Sequence, residues 1–169
     1  MGQHHIDDQR KEYLIDNFIN IDFYDEDEEV DMAKLSSLFN EIKDPAEIYF
    51  LAENFNWDNG PTIAEWIVSS PLCTKAAALV IFWTSAPDEY MEYEFGSSIP
   101  KYNSDQTDQE QTSILNLLEK LVTRFSNNDF NKLEICFDFS HWGCKLMVNS
   151  PKWSVCEEFY KSIDGVEVV

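Results

Sequence analysis

The sequence predicts a mainly α-helical single domain over residues 1–169, a bundle of about seven helices with a small β-hairpin near residues 132–149. Three observations predict it. Apolar residues recur at helical spacing in one segment after another up to Asn127, capping residues or prolines open most of those segments, and beyond Asn127 the apolar period shortens from 3.6 to 2. A chain of 169 residues suits one domain, and 44% apolar with 14% aromatic residues supplies a packed core.

Residues 1–7 are expected to be disordered, as termini without apolar periodicity commonly are. Residues 8–20 then place Leu14, Ile15, Phe18 and Ile19 on one helical face, and residues 28–42 do the same with Met32, Leu35, Leu38, Phe39 and Ile42. Between them runs DFYDEDEEVD, Asp22 to Asp31, with seven acids in ten residues. Its last acids suit the N-terminus of the following helix, and it lacks the central glycine and spaced ligands of a calcium loop.

Asp44-Pro45-Ala46-Glu47 reads as a capping box with proline at the first helical position, and it launches Ile48, Leu51, Ala52 and Phe55 at core spacing. Asn56 to Gly60 stops that helix with turn chemistry. Pro61 starts the next, with Ile63, Trp66 and Ile67 inward, so the two form a helical hairpin. Pro71 ends the second arm, and Cys73 or Thr74 begins a helix over Lys75 to Ser85 that contains AAALVIFW. With no polar face, that helix is predicted to be central and buried.

Pro87 opens a short amphipathic helix, DEYMEYEF, with Tyr90, Met91 and Phe95 partly in the core, followed by a polar loop from Gly96 to Gln106. Thr107 with Glu110 caps the clearest helix, striped by Ile114, Leu117, Leu118, Leu121, Val122 and Phe125. After Asn127, Leu133, Ile135, Phe137 and Phe139 alternate with Glu134 and Asp138. Ser140 to Gly143 is predicted to turn this strand into a second one, Cys144 to Asn149. Ser154 with Glu157 caps a last helix through Ser162, which Gly165 ends.

Charge is distributed unevenly. Residues 1–110 hold 24 acids against 6 Lys or Arg, a net of -18, whereas residues 111–169 hold 8 against 6 and add only -2 to the total of -20. Such a surplus repels nucleic acid and anionic lipid as direct ligands. It exceeds what solubility needs, and its self-repulsion suggests a basic partner in return. The longest apolar stretch, Ala76 to Trp83, is too short to span a bilayer, and no basic segment with an apolar run opens the chain. The reading is a soluble cytoplasmic protein with no membrane contact.

Four cysteines, Cys73, Cys136, Cys144 and Cys156, are expected to be free thiols in that setting. No metal is expected: His141 and Cys144 lack a CxxC partner pair, and His4 and His5 sit at the terminus. There is no phosphate-binding glycine loop, nucleophile elbow or HExxH pair, so no catalytic residue and no cofactor are assigned and the chain is not read as an enzyme. Binding is better supported. Interfaces take affinity from a few aromatic anchors and on-rate from surrounding charge. Two stretches supply both, giving as candidate partner-binding residues Tyr24, Asp25, Glu26, Asp27 and Glu28 in one and Asp88, Glu89, Tyr90, Glu92, Tyr93 and Glu94 in the other.

The segment from Tyr49 to Glu92, above all AENFNWDNGPTIAEWIVSSPLCTKAAALVIFW, resembles a bacterial family catalogued as domain of unknown function number 4274. The matching features are the aromatic-rich helix ending in Asn-Trp-Asp-Asn-Gly, the proline-started helix, the Pro-Leu-Cys turn and the apolar helix. They give a family-like core over residues 45–95, and the tail KWSVCEEFYKSIDG is similar to the family's ending. The resemblance implies a helical fold and an accessory role beside toxin systems. Together with the acidity it points to an immunity protein, or antitoxin, that binds a cognate bacterial toxin, a nuclease of a contact-dependent or secreted polymorphic system, and occludes its basic cleft. The alternatives are a helical adaptor that docks on a basic cellular protein and an unrecognised hydrolase or metal-dependent enzyme.

Overall fold

The run without a polar face becomes the central helix of the protein. In the computed structural model, which describes residues 2–21, 23, 30–99, 108–142 and 146–169, helix α5 spans Lys75–Thr84, and none of Ala76 to Phe82 is more than 3% exposed. Thr74 caps it by accepting from the Ala77 amide at 3.1 Å. Around α5 pack α3 (Pro45–Asn54), α4 (Thr62–Ser69) and α6 (Asp108–Asn127), which bring Leu51, Ile67, Leu118 and Leu121 against it in the same core. Ile, Leu and Phe side chains buried this fully each contribute roughly 1.5–3 kcal/mol. The described residues are thus mainly α-helical, as the apolar periodicity predicts.

The starts of these helices follow from local chemistry. Asp44 caps α3 through the Ala46 amide at 2.9 Å. Glu47 does not return to the cap as a capping box would have it; it is 6% exposed and pairs with Arg10, whose Nε and Nη2 reach its two carboxylate oxygens at 2.6 and 2.9 Å. A buried carboxylate needs such a bidentate partner, and the pair fastens α1 (Asp8–Leu14) to α3. The predicted first helix continues beyond α1 as a π-helical turn, Ile15–Ile19, that seats Phe18 in the core. Helix α2, Met32–Phe39, is shorter than the predicted helix over residues 28–42, because Asp31 caps it by accepting from the Lys34 amide and the backbone turns at Asn40. The predicted cap Thr107 lies outside the described residues.

At the far end of α6, Arg124 is buried and spends its guanidinium on main-chain carbonyls: Nη1 on Val68 and Ser70 where α4 ends, Nε on Asp129 at 2.7 Å. One side chain thereby joins the end of α4 to the turn after α6.

The amino terminus departs from the expected disorder. Gln3–His4 (β1) pairs in parallel with Glu167–Val168 (β2), Ile6 is buried at 4% exposure, and His4 Nε2 bonds Asp44 at 2.8 Å. Sequence periodicity could not reveal a strand whose partner is the other end of the chain.

The carboxy-terminal third is also rearranged relative to expectation. Alternation over 133–139 holds, with Ile135 and Phe137 buried and Glu134 and Asp138 exposed. Its partner is not the 144–149 segment: Ile135 bridges Val166 and Phe137 bridges Ile163. Of the expected second strand, residues 144 and 145 lie outside the described residues and 146–149 form no bridge. Using residues 163–168 as pairing partners also cuts short the predicted last helix, which is only the 3-10 turn Glu157–Tyr160. Gly165 is required here, since a Cβ would lie 2.3 Å from the Glu134 carbonyl oxygen.

Candidate protein-binding surface

Sequence reasoning assigns the binding residues to two acidic aromatic stretches, and the structure describes one of them. After α5 the chain turns at Ala86, which sits in the left-handed region at φ 52, and Pro87–Glu89 form a 3-10 turn. A residue with a Cβ costs roughly 1–2 kcal/mol there. Asp88, Glu89, Glu92 and Glu94 are exposed, Tyr93 and Phe95 are half-buried, and Tyr90 and Met91 are buried at 6% and 4%. The predicted amphipathic helix is therefore a series of turns. It buries Tyr90 and Met91 and turns the acids outward.

This loop is held from outside its own sequence. The Trp153 indole stacks on Phe95, centroids 4.8 Å apart, and its Nε1 donates to the Tyr90 carbonyl at 3.3 Å. The Lys152 amide donates to the Met91 carbonyl at 2.7 Å. Burial pushes the Tyr90 phenol up to about 12, with Glu89 and Tyr93 acting the same way, so it stays neutral and serves as an anchor. Of the four exposed acids, Glu94 has a cation nearby, Lys152 at 3.9 Å; Asp88, Glu89 and Glu92 have none among the described residues. The backbone that carries these carboxylates is thus held in place, and among the described residues the acids are largely uncompensated.

Tyr24, Asp25, Glu26, Asp27 and Glu28 lie outside the described residues. What the structure does show is how the chain leading toward them is gripped. The Asn59 side chain donates from Nδ2 to the Ile21 carbonyl and accepts the Phe23 amide on Oδ1 at 3.3 Å. The Asn-Trp-Asp-Asn-Gly turn, read from sequence as a helix stop, is also a backbone clamp.

A group that the sequence did not single out stands where α5 ends. Trp83, Phe139 and Tyr160, all half-buried, pack against one another with centroids 5.4 to 5.7 Å apart. Trp83 Nε1 donates to the Phe159 carbonyl at 3.1 Å. The signal was present only in three separate segments, each an aromatic within a few residues of acids: Asp88 and Glu89 after Trp83, Asp138 before Phe139, Glu157 and Glu158 before Tyr160.

A cleft of about 610 Å³ opens at the other end of α5, lined by Lys75, Lys132 and Lys161 against Glu134, Glu158 and Asp164. Its charges balance, and Glu158 is held between Lys161 at 2.7 Å and Lys75 at 3.3 Å, which lowers its carboxyl below the usual range. Among the described residues no three His, Cys, Asp or Glu side chains converge to hold a metal ion. His141 is exposed and 3.8 Å from Asp138; Cys144 lies outside the described residues. Cys73, Cys136 and Cys156 are free thiols, and burial pushes that of Cys73 up to about 12. No described helix is long and apolar enough to cross a membrane.

Residues 43–126, the stretch from just before α3 to the last residues of α6, match the family described as "Domain of unknown function (DUF4274)". The match extends the similarity read from Tyr49 to Glu92 in both directions and takes in the acidic loop, while the tail that carries Trp153 lies beyond it. No curated protein and no solved structure matches the chain.

Proposed function

For a chain whose residues 43–126 form a domain of the DUF4274 family, we propose the function of an immunity protein. It binds a cognate bacterial toxin in the cytoplasm, a nuclease of a contact-dependent or secreted polymorphic system, and covers the toxin's basic active-site cleft with the acidic face at residues 88–94. It performs no chemistry of its own.

The observation that supports this reading is the charge of that face: Asp88, Glu89, Glu92 and Glu94 are all exposed, and among the described residues only Glu94 has a cation within reach, Lys152 at 3.9 Å. Carboxylates gathered on one loop without cations to balance them suit a cationic surface that arrives from elsewhere. Tyr90, Met91 and Trp153 fix the loop in advance, so little ordering entropy is lost on docking. A nuclease cleft shaped for phosphate offers the complementary charge, and occluding it excludes the substrate.

The test is to mix the protein with the toxin encoded by the adjacent gene and to measure nuclease activity and complex formation. Stoichiometric inhibition with a complex that weakens at high salt supports the reading. An uninhibited nuclease, or absence of a complex, overturns it.

A further inference from the structure

Asn59 and Gly60 form the one Asn-Gly step in the sequence. In such a step no side chain shields the following amide nitrogen from the asparagine carboxamide, so the pair is open to succinimide formation. Both residues are needed where they stand. Gly60 sits at φ 73, a conformation that favours glycine. The Asn59 carboxamide supplies a donor and an acceptor together, Nδ2 on the Ile21 carbonyl and Oδ1 on the Phe23 amide at 3.3 Å. The folded turn also holds the groups that would react. The Gly60 amide donates to the Trp57 carbonyl at 2.9 Å and the Asn59 amide to the Asn56 carbonyl at 3.2 Å, which keeps Trp57–Asn59 in its 3-10 turn. Asn59 and Gly60 are half-buried, so water and base reach the turn once it opens.

We propose that Asn59–Gly60 is a deamidation site held in check by its own clamp, and that its modification releases the chain at Ile21 and Phe23. When the turn opens, the Gly60 nitrogen gives its proton to solvent base and bonds to Asn59 Cγ. The Cγ–Nδ2 bond breaks, and the nitrogen takes up a proton and leaves as ammonia. Water then opens the succinimide at either carbonyl, giving aspartate or the isomer whose main chain runs through Cβ and Cγ. Neither product has the Nδ2 hydrogens that the Ile21 carbonyl accepts, and each adds a carboxylate beside Asp58. In the closed turn the Gly60 nitrogen is engaged and the carboxamide is tied away from it, so the rate follows the fraction of time the turn is open. The bonds that grip the chain are thus the bonds that protect the site, and the change is one-way. The inference rests on this turn alone and is independent of the immunity role.

The experiment follows conversion at Asn59 by peptide mapping and mass spectrometry during incubation of the full chain at neutral pH. Three samples are compared: the folded chain, the chain in urea, and Phe23→Pro, which lacks the amide that Asn59 Oδ1 accepts. The chain in urea should convert at least about tenfold faster than the folded chain, and Phe23→Pro about fivefold faster, as loss of one hydrogen bond predicts. Hydrogen exchange within α5 shows whether the variant is folded; if it is not, the comparison of folded chain with urea decides. Asn59→Asp tests the consequence directly. Its Phe23 amide should exchange at least about fivefold faster than in the native chain while α5 stays protected. No conversion in urea, equal rates with and without urea, or a folded Phe23→Pro that converts no faster than the native chain overturns the gated site. Unchanged exchange at Phe23 in Asn59→Asp overturns the release.

Discussion

The indole of Trp153 lies on the ring of Phe95, centroids 4.8 Å apart and planes 23° from parallel. This contact joins the carboxy-terminal tail to the acidic loop and makes Glu92 and Glu94 part of a fixed surface. Trp153→Ala should lower stability by about 3–5 kcal/mol and speed amide exchange across residues 90–95. Trp153→Phe, which retains an aromatic ring and loses the Nε1 bond to Tyr90, should cost only about 1 kcal/mol. Denaturant unfolding and hydrogen exchange check both; an Ala variant whose loop remains protected would separate the tail from the loop.

Ala86→Gly should stabilise the protein. The native φ of 52 costs alanine roughly 1–2 kcal/mol, of which glycine relieves most while losing about 0.5–1 kcal/mol of chain entropy. A net gain near 0.5–1 kcal/mol is expected by chemical denaturation. A destabilised variant would mean that the alanine methyl makes a contact worth more than the strain.

Asp88→Asn and Glu89→Gln should each change stability by less than about 0.5 kcal/mol, because both carboxylates are exposed and pair with no cation among the described residues. The same changes should slow association with the toxin. Slower association at unchanged stability is what a functional charge predicts; a drop in both would make these acids structural.

Stability should fall with rising pH between about 9 and 12. Burial holds the Cys73 thiol protonated up to about 12, while the unfolded chain ionises near its ordinary value of 9. Within that window the unfolded state binds fewer protons than the folded one, so unfolding becomes easier by up to about 1.4 kcal/mol per pH unit. Tyr90, also raised to about 12 by burial, adds to the slope above 10. Cys73→Ala should make the dependence shallower even if it lowers stability at pH 7. An unchanged slope would assign the effect to the tyrosines.

The helical core was legible because its instructions are local. Asp44, Pro45, Pro61 and Thr74 act on residues one to four positions away, and AAALVIFW can only be satisfied by burial on all sides. What sequence missed is set by partners distant in the chain. The period-2 segment around Ile135 and Phe137 was visible, but its pairing with Val166 and Ile163 was not. The acids at 88–94 were readable as charge. That Tyr90 faces inward and Trp153 pins the loop was not, since alternating acids and aromatics look alike whether the ring is an anchor or a contact. The patch of Trp83, Phe139 and Tyr160 comes from three segments and exists only once they are folded together.

The most direct test of the account is the rate of association between this protein and the toxin encoded beside it, measured by stopped flow across a range of salt, for the native chain and for the triple variant Glu89→Lys, Glu92→Lys, Glu94→Lys. The account predicts an association rate that falls steeply with salt, is at least about tenfold lower in the triple variant at low salt, and leaves the variant's unfolding midpoint nearly unchanged. An association rate indifferent to both salt and charge reversal, or no association at all, would contradict it.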